Sequence, residues 1–451
     1  MKKVIASALC LTMVGAAFAA CSKDGGAKGE SDKILNVWSF TDEVPNMILR
    51  YKELHPDFDY EINITNIPTT DQAYQPALDE ALAAGGKDAP DIYCAEAAFI
   101  MKYSQGGAAG YALPYADLGI DVDKGIADAK IAQYTIDIGT RPSDGKLVAL
   151  GYQATGGAFI YRRTVAKTVW GADDPATVAE KIGADTGSWD KFWQAAEECK
   201  SAGCAIVSGD GDVWHAVENS SSTGWVVDGK LTIPKEREEF LDISMKLKEN
   251  NYHNDTQDWQ EAWFADMKGL GQKDVLGFFG PAWLINYTIA DNCTDEDSGV
   301  TTYGDWGVCN SPIGFFWGGT WVLVNKDTEH KEACKTLIEW ITLDSSETGL
   351  QYMWANGTLY PDKNTKDAVA SATVMAKSDG TVEFLGGQNM FDTFIPAGDY
   401  AKGDKLTEYD EKINGFWRDQ VRAYTAGEKT REQAIEDFKV QVKENTTITV
   451  E

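Results

Sequence analysis

Aromatic and acidic side chains are the residues of this sequence best suited to contact a small ligand. The 451 residues include 15 Trp, 18 Tyr and 17 Phe, together with 70 Asp and Glu. Tryptophan is costly to bury completely and often provides a contact surface. A pyranose has an apolar C–H face on which rings stack, while acids and amides bind its hydroxyls. The direction in which these rings point is therefore the first question about this chain.

Motifs of enzyme chemistry are missing from the sequence. It has no phosphate-binding loop, nucleophile elbow, zinc-protease helix or dinucleotide-binding fingerprint. The four histidines, His55, His215, His253 and His330, do not by themselves support a nucleophile relay. We expect no cofactor and no metal, because the acidic run from Asp291 to Asp297 lacks EF-hand spacing and is typical of a solvated turn. A glycoside hydrolase remains an alternative, since it needs only two carboxylates.

Charge and length restrict the class of protein further. Lys and Arg number 41, so the formal net charge is −29. A surface this acidic repels phosphate backbones, and we expect no nucleic acid partner. A chain of 451 residues is long for one hydrophobic core, which indicates two or more domains.

The N-terminal segment has the pattern of an export signal. Lys2 and Lys3 precede an apolar run and a stretch of small residues. Cys21 then follows Phe-Ala-Ala, which resembles the lipobox of bacterial lipoproteins, where this cysteine is acylated. An ordinary signal peptide with an incidental cysteine is the alternative. We predict a signal peptide over residues 1–20, a lipidated N-terminus and flexible tether over residues 21–33, and anchoring to the outer face of the cell membrane.

Six further cysteines follow the signal and the lipobox. Cys199 and Cys204 lie in CKSAGC, and Cys293 and Cys309 bracket a turn-rich loop. An exported protein can form disulfides, and both spacings predict a short-loop disulfide. The last two, Cys94 and Cys334, either pair or stay as buried thiols. Zinc-type CxxC pairs are missing.

The segments that carry the aromatic and acidic side chains alternate between strand-like and helical patterns. The periodicity predicts strands over Ile34–Phe40, Tyr60–Thr65, Asp91–Cys94 and Ala205–Val207, and helices over Asp42–Leu54, Asp71–Ala84, Trp189–Cys199, Pro234–Glu249 and Tyr409–Lys443. Alternation of this kind implies an α/β fold with parallel strands joined by helical crossovers.

An ordered set of segments gives the chain a family resemblance. The set comprises VWSFTDE, HPDFDYEINI, APDIY, GKLVAL, FIYRR, SWDKFWQA, GFFGPAWL, GGTWVLVNKDTEHKEACKTLIEWIT and ANGTLYP. Together these segments resemble the sugar-binding group of extracellular solute-binding proteins of ABC importers. The resemblance implies a type II periplasmic-binding-protein fold, with two α/β lobes, hinge segments and a ligand cleft between the lobes. It also implies an oligosaccharide ligand, permease partners, a monomer and no catalytic residues.

The resemblance also suggests where the lobes divide. We expect one lobe over residues 34–149 plus 317–352 and the other over residues 150–316 plus 353–451. The hinge crossings should then fall near Leu150–Ala154, Phe315–Thr320 and Gln351–Gly357.

Two acids occupy loops that contact ligand in the resembling family. Asp42 follows the first strand, and Glu96 follows the strand that begins at Asp91. Open α/β sheets bind ligands at the carboxyl ends of their strands, so both acids are candidates for binding hydroxyls. The alternative for each is a helix cap. An acid expected after the first crossing is missing, and Gln153 and Thr155 stand there instead, which argues against a maltodextrin.

Tryptophans supply the remaining site candidates. Trp283 follows Gly-Pro-Ala, and the resembling segment of sugar-binding relatives carries a tryptophan there that stacks on the sugar. The other candidates for ligand contact are Trp214, Trp317, Trp321, Trp354, Gln388 and Asn389. Helical periodicity instead predicts a core position for Trp189, Trp193, Trp259, Trp340 and Trp417.

The sequence therefore predicts a membrane-tethered lipoprotein that captures an oligosaccharide for an importer. The alternatives are a secreted glycoside hydrolase and a binding protein for a non-sugar solute such as a polyamine. The lack of clustered arginines in the loops argues against a phosphorylated ligand.

Overall fold

The structure is a computed structural model that describes residues 33–69 and 73–451. The predicted signal peptide over residues 1–20 and the predicted lipidation site Cys21 lie outside the described residues.

A five-stranded sheet organises the first lobe. Its strands, in spatial order, are Glu61–Asn66, Ile34–Ser39, Ile92–Glu96, Thr320–Val324 and Ala149–Gly151. The first three are parallel, which confirms the pattern of strand, helix and strand in the N-terminal sequence. Thr320–Val324 pairs antiparallel with both of its neighbours, so it alone runs against the other four strands. The carboxyl ends of the parallel strands thus lie at one edge, where the chain can hold a ligand.

A smaller antiparallel sheet organises the second lobe. Its strands, in spatial order, are Gly277–Gly280, Ala158–Arg162 and Trp306–Asn310. The predicted strand at Ala205–Val207 is wrong, since Ala205 forms only a single bridge with Val275. Short two-stranded pairs are Thr140–Arg141 with Lys146–Leu147, Val226–Val227 with Lys230–Leu231, and Thr381–Val382 with Gln388–Asn389.

Helices cover both sheets. Their bounds are Glu43–Leu54, Tyr74–Ala84, Ile100–Ser104, Val122–Ala129, Gln133–Gly139, Arg163–Trp170, Pro175–Ile182, Asp190–Ser201, Asp210–Glu218, Lys235–Glu238, Phe240–Glu249, Glu261–Lys268, Ala282–Leu284, Ile285–Ile289, Lys331–Ile338, Glu339–Leu343, Leu350–Ala355, Ala372–Ala376, Phe391–Tyr400, Asp410–Thr425 and Arg431–Asn445. The helix predicted over Tyr409–Lys443 is two helices, because the chain turns at Gly427, whose φ is 77°. Among the described residues, none of the helices is both long and apolar enough to cross a membrane.

Two neighbouring crossings join the sheets. One runs from Gly151 to Ala158, and the other runs from Asn310 to Thr320. They pair with each other, because Gly157 N donates to Phe315 O at 2.8 Å and Trp317 N donates to Thr155 O at 3.0 Å. A side chain at Gly157 would collide with the Phe315 ring, with a Cβ only 2.0 Å from it. The glycine therefore permits the close approach of the two crossings.

The predicted disulfide between Cys293 and Cys309 is wrong. Both cysteines are free thiols, and they belong to different hydrophobic cores. Cys293 packs in the same core as Trp306 and Val308, whereas Cys309 packs with Phe159 on the other side of the sheet. Successive residues of a strand point to opposite faces, so Cys309 faces away from Cys293.

The predicted disulfide between Cys199 and Cys204 is not formed either. Both thiols are free and lie in the second core, where the Cys204 thiol contacts Ala202 O at 3.9 Å. Burial raises the pKa of the Cys199 thiol, which disfavours the thiolate that disulfide formation requires. The spacing CKSAGC instead ends a helix, where Cys204 N donates to Cys199 O at 2.8 Å.

Candidate functional site

Three tryptophans from separate segments meet between the lobes, and we call Trp259, Trp283 and Trp317 the aromatic platform. Trp283 lies in the short helix Ala282–Leu284, which directly follows a strand of the second sheet. Its Nε1 donates to Trp317 O at 3.1 Å, and the two ring centroids are 4.8 Å apart. The rings of Trp259 and Trp283 are nearly parallel, with an interplanar angle of 10° and centroids 6.3 Å apart. Trp283 thus packs against both of the other rings.

Trp259 is the member that sequence periodicity missed. We predicted a core position, yet 51% of its surface is exposed. Its φ of 65° is in the left-handed region, which costs a non-glycine residue about 1 kcal/mol or more. An exposed tryptophan held in such a conformation is typical of a binding surface rather than of packing. The turn-forming segment NDTQDW was the only sign in the sequence that Trp259 does not lie on a buried helix face.

The partly buried Trp317 is held in place by a histidine. The rings of Trp317 and His215 stack with centroids 3.5 Å apart and an interplanar angle of 13°. His215 in turn contacts two carboxylates, with Nε2 3.3 Å from Asp258 Oδ2 and Nδ1 3.8 Å from Glu218 Oε2. Burial opposes the charge of His215, but the two carboxylates outweigh it and raise the pKa of the imidazole. The imidazole stacked on the face of Trp317 fixes the orientation of the tryptophan.

Glu96 lies beside the aromatic platform, on the first lobe. Gly318 lies between the side chains of Glu96 and Trp283. A Cβ built on this glycine would be 3.5 Å from Glu96 Oε1 and 3.3 Å from Trp283 Nε1. Glu96 Oε2 accepts from Ala98 N at 2.7 Å, so the carboxylate also orders its own loop. Burial, with Glu411 and Glu218 nearby, raises the pKa of Glu96 to about 7. The predicted acid is therefore placed to bind a hydroxyl next to the rings.

Asp42 lies at the rim of the cleft. Its carboxylate accepts from the Asn66 side chain and makes no capping bond to the helix that follows it. Both residues follow the carboxyl ends of parallel strands and are exposed. The cap alternative for Asp42 is thus not realised, and the side chain faces solvent at the expected edge.

A second polar group, which we call the acidic end, includes Tyr287, which follows Trp283 by about one helical turn. It comprises Glu43, Tyr152, Tyr287, Trp354, Tyr360 and Asp367. Burial raises the pKa of Glu43 to about 7. Burial and the neighbouring Glu43 together raise the pKa of Asp367 to about 8. Trp354, a predicted candidate, is buried and its ring packs edge-on against Tyr152 and Tyr360.

The buried acids predict an unusual pH dependence of stability. The pKa values of Glu43, Glu96 and Asp367 are raised from ordinary values of 4.5, 4.5 and 3.8, so the folded chain binds their protons more tightly than the unfolded chain. Their contribution to stability is complete below the unfolded pKa values and is lost as the pH rises through the folded ones. The melting temperature of the ligand-free protein should therefore fall between about pH 5 and about pH 8. Glu43→Gln should flatten this slope, and a slope unchanged by that substitution would contradict the assignment.

Two tryptophan candidates are wrong. Trp214 is 2% exposed and packs in the second core against Phe240 at 4.9 Å, because the Gly-Asp-Gly-Asp segment begins a helix rather than a loop. Trp321 is 1% exposed, and its Nε1 donates to Thr135 O at 3.1 Å. It lies in the middle of the first sheet, where alternation points it into the core.

The two amide candidates are engaged elsewhere. Gln388 Nε2 donates to Val308 O at 2.7 Å, and its Oε1 accepts from Val308 N at 3.0 Å. Asn389 Oδ1 accepts at 3.0 Å from the backbone N of Phe391, the first residue of the following helix. Both amides are therefore bonded to the edge of the second sheet or to its neighbouring helix, rather than lining the cleft.

No group of three potential metal ligands comes together within residues 33–69 and 73–451. The arrangement instead offers ring faces at one end, carboxylates at both ends, and hinge-like crossings beneath them.

Residues 38–348 match the family described as bacterial extracellular solute-binding proteins. The match covers more than half of the chain, and the chain therefore belongs to this family. No curated protein sequence matches the chain.

Solved structures share the two-lobed fold. A crystal structure described as extracellular solute-binding protein family 1 is 18% identical, with a TM-score of 0.70 over 91% of this chain and 99% of that chain. The galacto-N-biose-/lacto-N-biose I-binding protein of an ABC transporter from Bifidobacterium longum, in complex with lacto-N-biose, is 16% identical, with a TM-score of 0.64 over 94% and 100% of the two chains. An ABC transporter associated binding protein from B. animalis subsp. lactis, in complex with beta-1,6-galactobiose, is 19% identical, with a TM-score of 0.61 over 92% and 99%.

Proposed function

We propose that this chain captures an oligosaccharide between its lobes and delivers it to the permease of an ABC importer. The observation that carries the proposal is the aromatic platform, with an exposed Trp259 parallel to Trp283 and the Glu96 carboxylate beside them. Rings supply area for the C–H face of a sugar at low entropic cost, and carboxylates accept from its hydroxyls. Family membership and similarity to sugar-bound transporter proteins support the same function.

The lobes already approach each other around the platform. Gln75 Nε2 donates to Glu411 Oε2 at 3.1 Å, and Gly107 N donates to Glu408 Oε2 at 3.2 Å, each across the cleft. The pocket between Glu96 and Trp317 is narrow, at about 80 Å³. A sugar therefore enters an opened form, and rotation about the paired crossings closes the lobes over it. The closed form would then dock on the permease as a monomer.

A panel of glycans read by thermal shift tests the proposal. A ligand bound only by the folded state raises the melting temperature, by an amount set by its concentration relative to Kd. We expect at least one family of oligosaccharides to raise it, with the added sugar recovered intact. A flat panel would contradict oligosaccharide capture, and shortened products would indicate the glycoside hydrolase instead.

We also propose that acyl chains on Cys21 tether the protein to the outer face of the membrane. The lipobox-like Phe-Ala-Ala-Cys and the polar segment after it support this anchor. In the producing bacterium the protein should partition into the detergent phase, and Cys21→Ala should release it to the medium or periplasm. Cys10→Ala, inside the predicted signal, is the control and should leave the partition unchanged. Equal solubility of wild type and Cys21→Ala would contradict a lipid anchor.

A further inference from the structure

The acidic end contains two carboxyl groups, Glu43 and Asp367, close enough for the charge of Glu43 to raise the pKa of Asp367. Glu43 begins the first helix, and Asp367 precedes a segment fixed to the first crossing by the bond from Ala370 N to Tyr152 O at 2.8 Å. Within the described part of the chain, neither carboxyl forms an ion pair with Lys or Arg. The adjacent Lys366 is directed away, since its Nζ pairs with Asp379 at 3.0 Å. A negative charge on either carboxyl is therefore uncompensated in the ligand-free chain.

Three buried polar atoms at the acidic end form no well-aligned hydrogen bond, although two of them point at its carboxyl groups. Among the described residues, Tyr152 Oη, Trp354 Nε1 and Asp367 Oδ2 make no hydrogen bond of normal geometry. Tyr152 is 0% exposed, Asp367 is 1% exposed and Trp354 is 7% exposed. Tyr152 faces Glu43, and Trp354 faces Asp367. Buried polar groups are normally bonded, and an unpartnered one costs free energy, so their convergence marks a place for a ligand group.

The chemistry of the acidic end distinguishes between ligand groups. A sugar hydroxyl brings one donor and no charge, so it would not compensate a charge on the buried Asp367 or the partly buried Glu43. A protonated primary amine brings three donors and one positive charge, and it is attracted to the faces of tyrosine and tryptophan rings. Tyr287 and Tyr360 complete such a lining around the two carboxyls. Glu96, Glu218 and Glu411 add negative charge along the cleft.

We propose that the acidic end binds a protonated primary amine, so that the captured oligosaccharide carries a free amino sugar. This inference rests on the proposed function and assigns the ligand class within the same cleft. The aromatic platform would hold a neutral ring of the ligand, while the ammonium group lies between Glu43 and Asp367.

Calorimetric titration of the mature chain tests the inference. The probes are amino-sugar oligosaccharides of several linkages, their N-acetylated and neutral counterparts of the same linkage and length, and spermidine. We expect the tightest ligands to carry a free amine and to bind at least tenfold more tightly than their N-acetylated counterparts. A neutral or N-acetylated oligosaccharide that binds as tightly overturns the inference and leaves the proposed function standing. Binding of spermidine without any sugar overturns the proposed function, and binding of neither class of amine overturns the inference.

Variants then locate the amine. Glu43→Gln and Asp367→Asn should each weaken binding of the amino form roughly thirtyfold or more, while the N-acetylated form changes less than about threefold. Glu61→Gln removes one exposed charge at the opposite end of the first sheet and should leave both affinities unchanged. Melts of the ligand-free variants show whether they fold. Equal losses for the amino and N-acetylated forms would overturn the assignment of these carboxyls.

Discussion

Trp283→Ala is expected to weaken binding of the best oligosaccharide by at least ~2 kcal/mol, roughly thirtyfold, because truncation removes the ring that joins the aromatic platform. The partly buried indole is bonded to Trp317 O and lies against the rings of Trp259 and Trp317. Its loss removes dispersion and apolar burial from the complex, but leaves no closed cavity in the free protein. The ligand-free melting temperature should therefore change little.

Trp170→Ala is the matched control for this substitution. Trp170 is another partly buried tryptophan, whose Nε1 bonds to Glu198 on an outer face of the second lobe. Its removal should leave affinity unchanged in the same calorimetric titration. Unchanged affinity in Trp283→Ala, with a large drop in melting temperature, would place Trp283 in the core and contradict the site.

Trp321→Ala should have the opposite effect and lower the free energy of unfolding by about 3–5 kcal/mol. Trp321 is almost completely buried in the central part of the first sheet, and its Nε1 satisfies Thr135 O. The substitution leaves a cavity and an unpartnered carbonyl group, both of which destabilise the folded chain. Urea unfolding of the ligand-free protein measures the loss.

Trp321→Phe provides the graded control, since it retains a ring and loses only the bond to Thr135. Its loss of stability should be smaller than that of Trp321→Ala. A stable Trp321→Ala variant with greatly weakened sugar binding would show that this ring lies in the cleft, as the sequence suggested. The two substitutions together thus separate binding tryptophans from core tryptophans.

Local patterns were sufficient for the architecture of the N-terminal half. The strands Ile34–Ser39, Glu61–Asn66 and Ile92–Glu96 were predicted to within about two residues, because apolar alternation and helix ends are local signals. The split of the C-terminal helical region at Gly427 was missed, since a glycine inside a polar helical pattern does not show which way the chain turns.

The tryptophans show where local patterns are not sufficient. Trp317 and Trp321 are four residues apart, and their spacing in a strand suggested one shared side. Gly318 and Gly319 have φ values of 71° and 115°, so the strand begins only at Thr320 and the two rings part. Trp259 was assigned to a helix face, whereas it lies before the helix that begins at Glu261. Contacts made by distant segments decide each of these positions.

The acidic end was not predicted, for the same reason. Glu43 and Asp367 are more than 300 residues apart in the sequence, and neither lies in a recognisable motif. They meet because the chain around Asp367 pairs with the first crossing, through a bridge between Gln153 and Val369. Seventy acidic residues offer too many pairs for composition to identify this one.

A crystal structure of the mature chain with the best glycan of the panel tests the central claim most directly. We expect one sugar ring in contact with Trp283 at about 4 Å, with hydroxyl groups within bonding distance of Glu96. Another groove, of about 730 Å³, lies on the outside of the first lobe, between Tyr51, Trp340 and Lys377. A glycan bound there, with the aromatic platform empty, would contradict capture between the lobes.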